Sequence, residues 1–176
     1  MYIGTQVAPR NLSDLEVWSQ LGVKNICTDP FKENDEGEFS SINPHEWTEE
    51  ILEKHIEIIE KNGLKLDMVQ IPLSSRPLEE SQSPNIMLGK SPERDKEIES
   101  IQKIIELCSK VGIPAVKYNM NIIGIPRSEN EKGRGGSINS TFRWSKINQE
   151  ENAGIAGVLD VDTNWERIDY FLERVV

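Results

Sequence analysis

Residues 98–117 read IESIQKIIELCSKVGIPAVK and contain a unit that recurs along the chain. Apolar side chains occur three and four positions apart from Ile98 to Val111, which is the spacing of one buried face of a helix. Gly112 follows at once and leads into the short apolar run Ile113–Lys117. Because glycine adopts a left-handed backbone conformation at little cost, it can end a helix and turn the chain directly into a strand. This stretch therefore predicts a helix, a tight turn and a strand.

The same unit occurs around Gly22 and Gly63, and a strand-like run and a helical pattern lie at the two ends of the chain. Strands are predicted near residues 2–7, 23–28, 64–70 and 113–119, and helices near residues 11–21, 48–62, 92–111 and 163–176. Strands that alternate with helices form right-handed crossover units in a parallel sheet. We therefore expect an α/β fold, with residues 1–176 forming a single domain.

The connections between these elements are unequal in length. Each helix-to-strand turn is a glycine and its neighbour, whereas the strand-to-helix connections are long and span residues 29–47, 71–91 and 120–162. In parallel α/β folds the strand-to-helix connections gather at the carboxyl ends of the strands, where ligands bind. The pattern predicts an active site at that end of the sheet.

Two architectures fit repeated strand–helix units, an open doubly wound sheet and a closed eight-stranded barrel. The first strand-to-helix junction, Val7–Asn11, lacks the glycine pattern of a dinucleotide or phosphate loop, which argues against the open sheet. Four units fill all 176 residues, so eight would need about twice this length. The prediction is a TIM (β/α)8-type barrel of which this chain provides about four units, a half barrel.

Composition and charge exclude several classes of protein. The chain has 30 acidic and 20 basic side chains, a formal net charge of −10, and no long apolar run that would predict a membrane span or a secretory signal. The acidic balance argues against nucleic-acid and membrane partners. Cys27 and Cys108 lie in strand-like and helical patterns and are expected to be buried thiols. Two such thiols and no disulfide framework fit a cytoplasmic protein.

Five residues near the predicted carboxyl ends are candidates for substrate binding. Arg134 lies among glycines in the longest connection, where a guanidinium fits a carboxylate with two hydrogen bonds, although an exposed arginine of a flexible loop fits the same pattern. Tyr118 and Asn119 end the fourth strand, and we expect one of them to contact a substrate hydroxyl. Asp29 and Gln70 end the second and third strands, and an aspartate before a proline fits the start of a turn equally well.

The two histidines do not predict a metal site. His55 falls on the inward face of the second helix, where a packed histidine is expected. His45 lies in a connection without a second ligand at a suitable spacing. The residues themselves therefore predict no metal site within this chain.

Four stretches of the chain resemble the mannonate dehydratase family: Ser91–Ile98, Lys117–Asn119, Gly133–Ser137 and Asn164–Leu172. The resemblance spans nearly the whole chain and corresponds to the amino-terminal half of the family's xylose-isomerase-like TIM barrel. It implies a lyase that removes water from D-mannonate, a small sugar acid, to give 2-keto-3-deoxy-D-gluconate in hexuronate catabolism. It also implies a Mn²⁺ or Fe²⁺ cofactor, whose His, Cys and Asp ligands are expected in the carboxyl half of the barrel, outside this chain.

Two alternatives to the dehydratase remain open at this stage. A sugar isomerase or epimerase on the same barrel would have the same arrangement of connections. A non-catalytic fragment would also fit, because the metal ligands are expected elsewhere. A half barrel would in addition leave two strand edges unpaired, so the isolated chain is expected to form a homo-oligomer or to aggregate.

Overall fold

A computed structural model gives the fold and describes residues 2–147 and 154–176. The strands are β1 (Gly4–Thr5), β2 (Asn25–Cys27), β3 (Phe31–Glu33), β4 (Phe39–Ser41), β5 (Lys65–Gln70), β6 (Val116–Lys117), β7 (Glu131–Lys132) and β8 (Ile138–Asn139). The α-helices are α1 (Leu12–Gln20), α2 (Glu49–Lys61), α3 (Pro84–Leu88), α4 (Glu93–Lys110) and α5 (Val161–Val175).

Strands β1, β2, β5 and β6 form one parallel sheet in that spatial order. The order in the sheet is the order in the sequence, so every crossover advances in the same direction. Since such crossovers are right-handed in nearly all proteins, they place α1, α2 and α4 on one face of the sheet. Contacts of α2 with β5 and α4, and of α4 with α5, agree with this layer of helices. The predicted α/β fold with a parallel sheet is confirmed.

The four predicted strands and four predicted helices are all present, but the edge strands are shorter than expected. β1 covers Gly4–Thr5 and β6 covers Val116–Lys117, whereas runs of six and seven residues were predicted for them. Each edge strand has a partner on one side only, so fewer backbone hydrogen bonds hold its ends in an extended conformation. Pro114 shortens β6 further because it has no amide hydrogen to donate.

The predicted glycine turns connect the helices to the strands. Gly22, Gly63 and Gly112 have φ angles of 85°, 76° and 80°, a left-handed conformation that other residues rarely adopt. The amide after each glycine donates to a carbonyl in the last turn of the preceding helix: Val23 to Trp18, Leu64 to Ile59 and Ile113 to Cys108, at 3.0, 3.3 and 2.9 Å. These hydrogen bonds satisfy carbonyl groups that the helix end would leave without a partner.

The long connections contain structure that the sequence patterns did not predict. β3 and β4 form an antiparallel hairpin after β2, and β7 and β8 form another after β6. The short helix α3 lies in the connection between β5 and α4. In the first hairpin the Asn34 side chain accepts from the amides of Glu36 and Glu38 at 3.0 and 2.8 Å, which fixes the turn.

The described residues form one apolar cluster between the sheet and the helices. Its most buried members come from every layer and include Leu15, Ile26, Leu52, Ile59, Val69, Ile98, Ile101, Cys108 and Phe171. The strong apolar face predicted for α4 is therefore confirmed. Cys108 is buried as expected, but Cys27 is only half-buried. The neighbouring Ile26 is buried against the helices, so Cys27 points to the opposite side of the sheet. None of the described helices is long and apolar enough to cross a membrane.

The helix α5 is held to its neighbours by polar contacts as well as by the buried Phe171. The Tyr170 hydroxyl donates to Asp95 Oδ1 of α4 at 2.6 Å. The guanidinium groups of Arg94 and Arg174 each stack on the Tyr170 ring, 3.3 Å from its centroid. These contacts fix the last described helix against α4.

Two leucines with opposite burial test this description of the core. Leu52 is 0% exposed and Leu21 is 73% exposed. We expect Leu52→Ala to lower the free energy of unfolding by about 2–5 kcal/mol, because the cavity it leaves cannot close fully. The same substitution at Leu21 is expected to change it by less than about 0.5 kcal/mol. Urea unfolding followed by circular dichroism measures both, and equal effects would contradict the assigned core.

Candidate functional site

Asp29 and Gln70, two of the predicted site residues, meet at the carboxyl ends of β2 and β5. Asp29 Oδ1 accepts a hydrogen bond from the backbone amide of Gln70 at 2.7 Å. The two strands are parallel neighbours, with Asn25 opposite Lys65 and Cys27 opposite Met68, so their ends lie at the same edge of the sheet. The pairing of strands therefore brings together residues 41 positions apart in the chain.

The carboxyl group of Asp29 holds its proton more firmly than an ordinary aspartate. Burial raises the pKa of Asp29, and this effect outweighs the hydrogen bond from Gln70 and the positive charge of Lys117, which both lower it. A carboxyl group with a raised pKa at a strand end is suited to exchanging a proton with a ligand or accepting a hydrogen bond from one.

A polar pocket of about 430 Å³ opens beside these two residues. The connections after β2 and β5 form its walls, with Asp29, Ser41, Ile42, Asn43, Pro44, Gln70, Ile71, Pro72, Ser74, Arg76, Glu80 and Gln82 lining it. Its volume is in the range of pockets that hold small molecules. Hydroxyl, amide and carboxylate groups along the walls match a ligand that carries many hydroxyl groups.

Arg76 was missed by the sequence analysis although it lines this pocket. Its guanidinium forms an ion pair with Glu80, four residues later, at 3.5 Å, and both side chains are largely exposed. The available signal was the one used for Arg134, an arginine in a long connection at the ligand-binding end of the sheet. Arg134 has glycine neighbours, which favour a close approach of the backbone to a ligand, whereas Arg76 lies between Ser75 and Pro77.

Arg134 lies in the turn of the β7–β8 hairpin and not in an irregular loop. Gly135 and Gly136 have φ angles of 69° and 82°, which allow the tight turn. The Arg134 side chain is exposed. In the described residues no hydrogen bond or ion pair joins it to Asp29 or Gln70. Its contact with a substrate carboxylate stays a prediction.

Tyr118 and Asn119 follow β6 and have different surroundings. The Tyr118 ring packs edge-on against Phe171 of α5, with 5.6 Å between the ring centroids, so it contacts the helix layer. The backbone amide of Asn119 donates to the carbonyl of Leu73 at 2.8 Å. Leu73 lies between Pro72 and Ser74, two residues of the pocket wall. The backbone of Asn119 is therefore hydrogen-bonded to the segment that forms the pocket wall, whereas Tyr118 packs against α5. The role of both residues in binding stays a prediction.

His55, in α2, is hydrogen-bonded to the residue that precedes Asp29. It is 2% exposed and its Nε2 lies 3.3 Å from the carbonyl oxygen of Thr28, the residue before Asp29. A carbonyl oxygen only accepts hydrogen bonds, so Nε2 carries the proton and donates. Burial lowers the pKa of His55 to about 4, so the ring is neutral near pH 7. The expectation of a packed histidine is confirmed, and its hydrogen bond fixes the end of β2.

The described residues do not fit the metal ion that the family resemblance implies. No three His, Cys, Asp or Glu side chains come together within residues 2–147 and 154–176 in a way that could hold an ion. His45 instead pairs through Nδ1 with the Ser100 hydroxyl, at 3.2 Å.

The family model for D-mannonate dehydratase (UxuA) matches residues 10–176. The chain belongs to the mannonate dehydratase family. A solved mannonate dehydratase from Streptococcus suis serotype 2 has a similar structure, with a TM-score of 0.71 and 20% sequence identity over 99% of this chain. The match covers 49% of that protein, so the chain spans about half the length of its solved relative. A comparison with curated proteins gave no significant match.

The buried His55 predicts a pH-dependent stability. An unfolded histidine has a pKa of about 6.5, so below this pH the unfolded chain takes up a proton that the native ring, with its pKa of about 4, does not. The free energy of unfolding should fall as the pH drops from about 6.5 to about 4, by roughly 3 kcal/mol from this group.

His55→Gln keeps a donor near the Thr28 carbonyl and does not titrate, so it is expected to remove this part of the pH dependence. His45→Gln, at the other histidine, is the matched control and should keep it. Urea unfolding at several pH values measures the slope for each variant. A slope that His55→Gln leaves unchanged would mean that His55 is not buried in the neutral form.

Proposed function

We propose that this family member binds D-mannonate at the carboxyl ends of its parallel strands and serves the dehydration of D-mannonate to 2-keto-3-deoxy-D-gluconate. The observation that carries the proposal is the family match over residues 10–176, which coincides with a polar pocket at the end of the sheet where such folds bind ligands. The family to which the chain belongs is one of hydro-lyases that act on a sugar acid, D-mannonate.

The reaction determines what the site must provide. One proton leaves the carbon beside the carboxylate and one hydroxyl leaves the next carbon, so the products are water and an enol that becomes the 2-keto acid. Proton transfer needs an acid or base near its working pH, and the carboxylate and hydroxyl groups need donors and acceptors that orient them. Asp29, with its raised pKa, is our candidate for a group that accepts a hydrogen bond or a proton from the substrate.

We further propose that the four strand–helix units are the first half of a TIM barrel. The sequential strand order and the single layer of helices support this, as does the match of 99% of the chain to 49% of its solved relative. Four further units would pair with the edges of β1 and β6. In this proposal the metal, Mn²⁺ or Fe²⁺, is bound by residues of those further units, and the reaction takes place in the cytoplasm.

The unpaired edges also support self-association of the isolated chain. Ile3 and Val7 beside β1, and Ile123 and Ile125 after β6, are exposed apolar side chains. Two copies that cover these residues would form a homo-oligomer.

Ligand binding by the purified protein tests the proposed function. We expect calorimetry to show tighter binding of D-mannonate than of the ketose D-fructose, and Asp29→Asn to weaken D-mannonate binding about tenfold, because the variant loses a charged acceptor. Asp35→Asn, in the exposed turn of the first hairpin, is the control and should bind as the unmodified protein does.

The other two function classes give different results in the same measurement. Preferential binding of the ketose would favour an isomerase or epimerase and contradict the dehydratase. Failure to bind any sugar acid or ketose would favour a non-catalytic fragment.

A further inference from the structure

Lys117 ends β6 on the side of the sheet away from the helices, which we call the open face. Val116, its neighbour in the strand, packs against the apolar cluster beneath the helices. Successive side chains of a strand point to opposite faces, so Lys117 points to the open face.

The Lys117 ammonium reaches across the open face to the opposite edge of the sheet. Its Nζ donates to Oε1 of Gln6, just after β1, at 3.0 Å. Since β2 and β5 lie between β1 and β6, this hydrogen bond places the ammonium in front of the two central strands. An ammonium has three donors, and Gln6 takes one of them.

Strand pairing places Asp29 beside Lys117. Lys117 lies opposite Gln70 where β6 pairs with β5, and the Gln70 amide donates to Asp29 Oδ1 at 2.7 Å. The positive charge of Lys117 lowers the pKa of both Asp29 and Cys27, against a larger effect of burial. In the part of the chain that the structure describes, Lys117 and Asp29 form no direct ion pair. The Lys117 ammonium and the Asp29 carboxyl group are therefore two groups of opposite charge that a ligand at this strand end could contact together.

Two arginines in the strand-to-helix connections, Arg76 and Arg134, are less suited to binding an acid. Arg76 already forms an ion pair with Glu80, so a substrate would compete with a carboxylate of the protein. Arg134 is exposed in a hairpin turn, where water weakens its attraction for an anion. Lys117 is half-buried and its position is fixed by Gln6, so less side-chain freedom is lost on binding.

We infer that Lys117 binds the carboxylate of the substrate, while Asp29 accepts a hydrogen bond from the hydroxyl group on the next carbon. The site would thereby select 2-hydroxy acids over neutral sugars and polyols of the same length. Gln6 acts as a positioning residue for the ammonium. The inference rests on the proposed function for the class of substrate, but not for the identity of the sugar acid.

A matched pair of ligands tests this inference, D-mannonate and the uncharged polyol D-mannitol. Their affinities for the purified protein are measured by ligand-detected NMR, which reaches millimolar dissociation constants. We expect Lys117→Met to reduce the ratio of D-mannonate to D-mannitol affinity at least about tenfold, and Lys117→Arg to retain part of it. Lys24→Met removes an exposed lysine at the amino end of β2 and should leave the ratio unchanged.

Thermal unfolding followed by circular dichroism shows whether each variant is folded. If Lys117→Met does not fold, the affinity ratio of Lys117→Arg tests the inference instead. An unchanged ratio in Lys117→Met would overturn the inference, and so would an equal loss of both ligands, which indicates a structural role. Absence of discrimination in the unmodified protein would overturn it as well. If D-gluconate binds as tightly as D-mannonate and Lys117→Met weakens both, the inference holds while the proposed specificity for D-mannonate fails.

Discussion

The parallel pairing of β2 with β5 is the interaction on which the rest of the structure depends. Parallel neighbours need a crossover connection, and here the crossover is α2, which buries Leu52 and Ile59 against the sheet. The pairing also aligns the carboxyl ends of the two strands, so that Asp29 accepts from the Gln70 amide. The burial of apolar side chains by α2 and the positions of Asp29 and Gln70 therefore both depend on the register of β2 against β5.

The sequence predicted the regular part of the fold because several local signals agreed. Around Gly112 a helical apolar face, a residue suited to positive φ and an apolar strand follow one another without a gap, and the structure has each of them. The hairpins were not predicted, because their strands are two or three residues long and largely exposed. Such strands show no alternation of apolar and polar side chains that a pattern could detect.

The candidate site was predicted only in part, for a related reason. Asp29 and Gln70 could be assigned from the rule that ligands bind at strand ends, since that rule needs only the order of the elements. Burial raises the pKa of Asp29, and the two groups that oppose this effect, the Gln70 amide and Lys117, belong to other strands. The sequence does not show which groups meet across a sheet. His55 was predicted to be packed, but its hydrogen bond to the carbonyl of Thr28 depends on the same unseen geometry.

We propose that ligands bind at the carboxyl end of this sheet, where the long connections gather, and not at the end of the glycine turns. Backbone amide chemical shifts, measured by NMR while D-mannonate is added to the isotope-labelled protein, test it most directly. We predict shifts at Asp29, Gln70 and Asn119 and none at Gly63 or Gly112. Shifts confined to the glycine turns would contradict the assignment of the site.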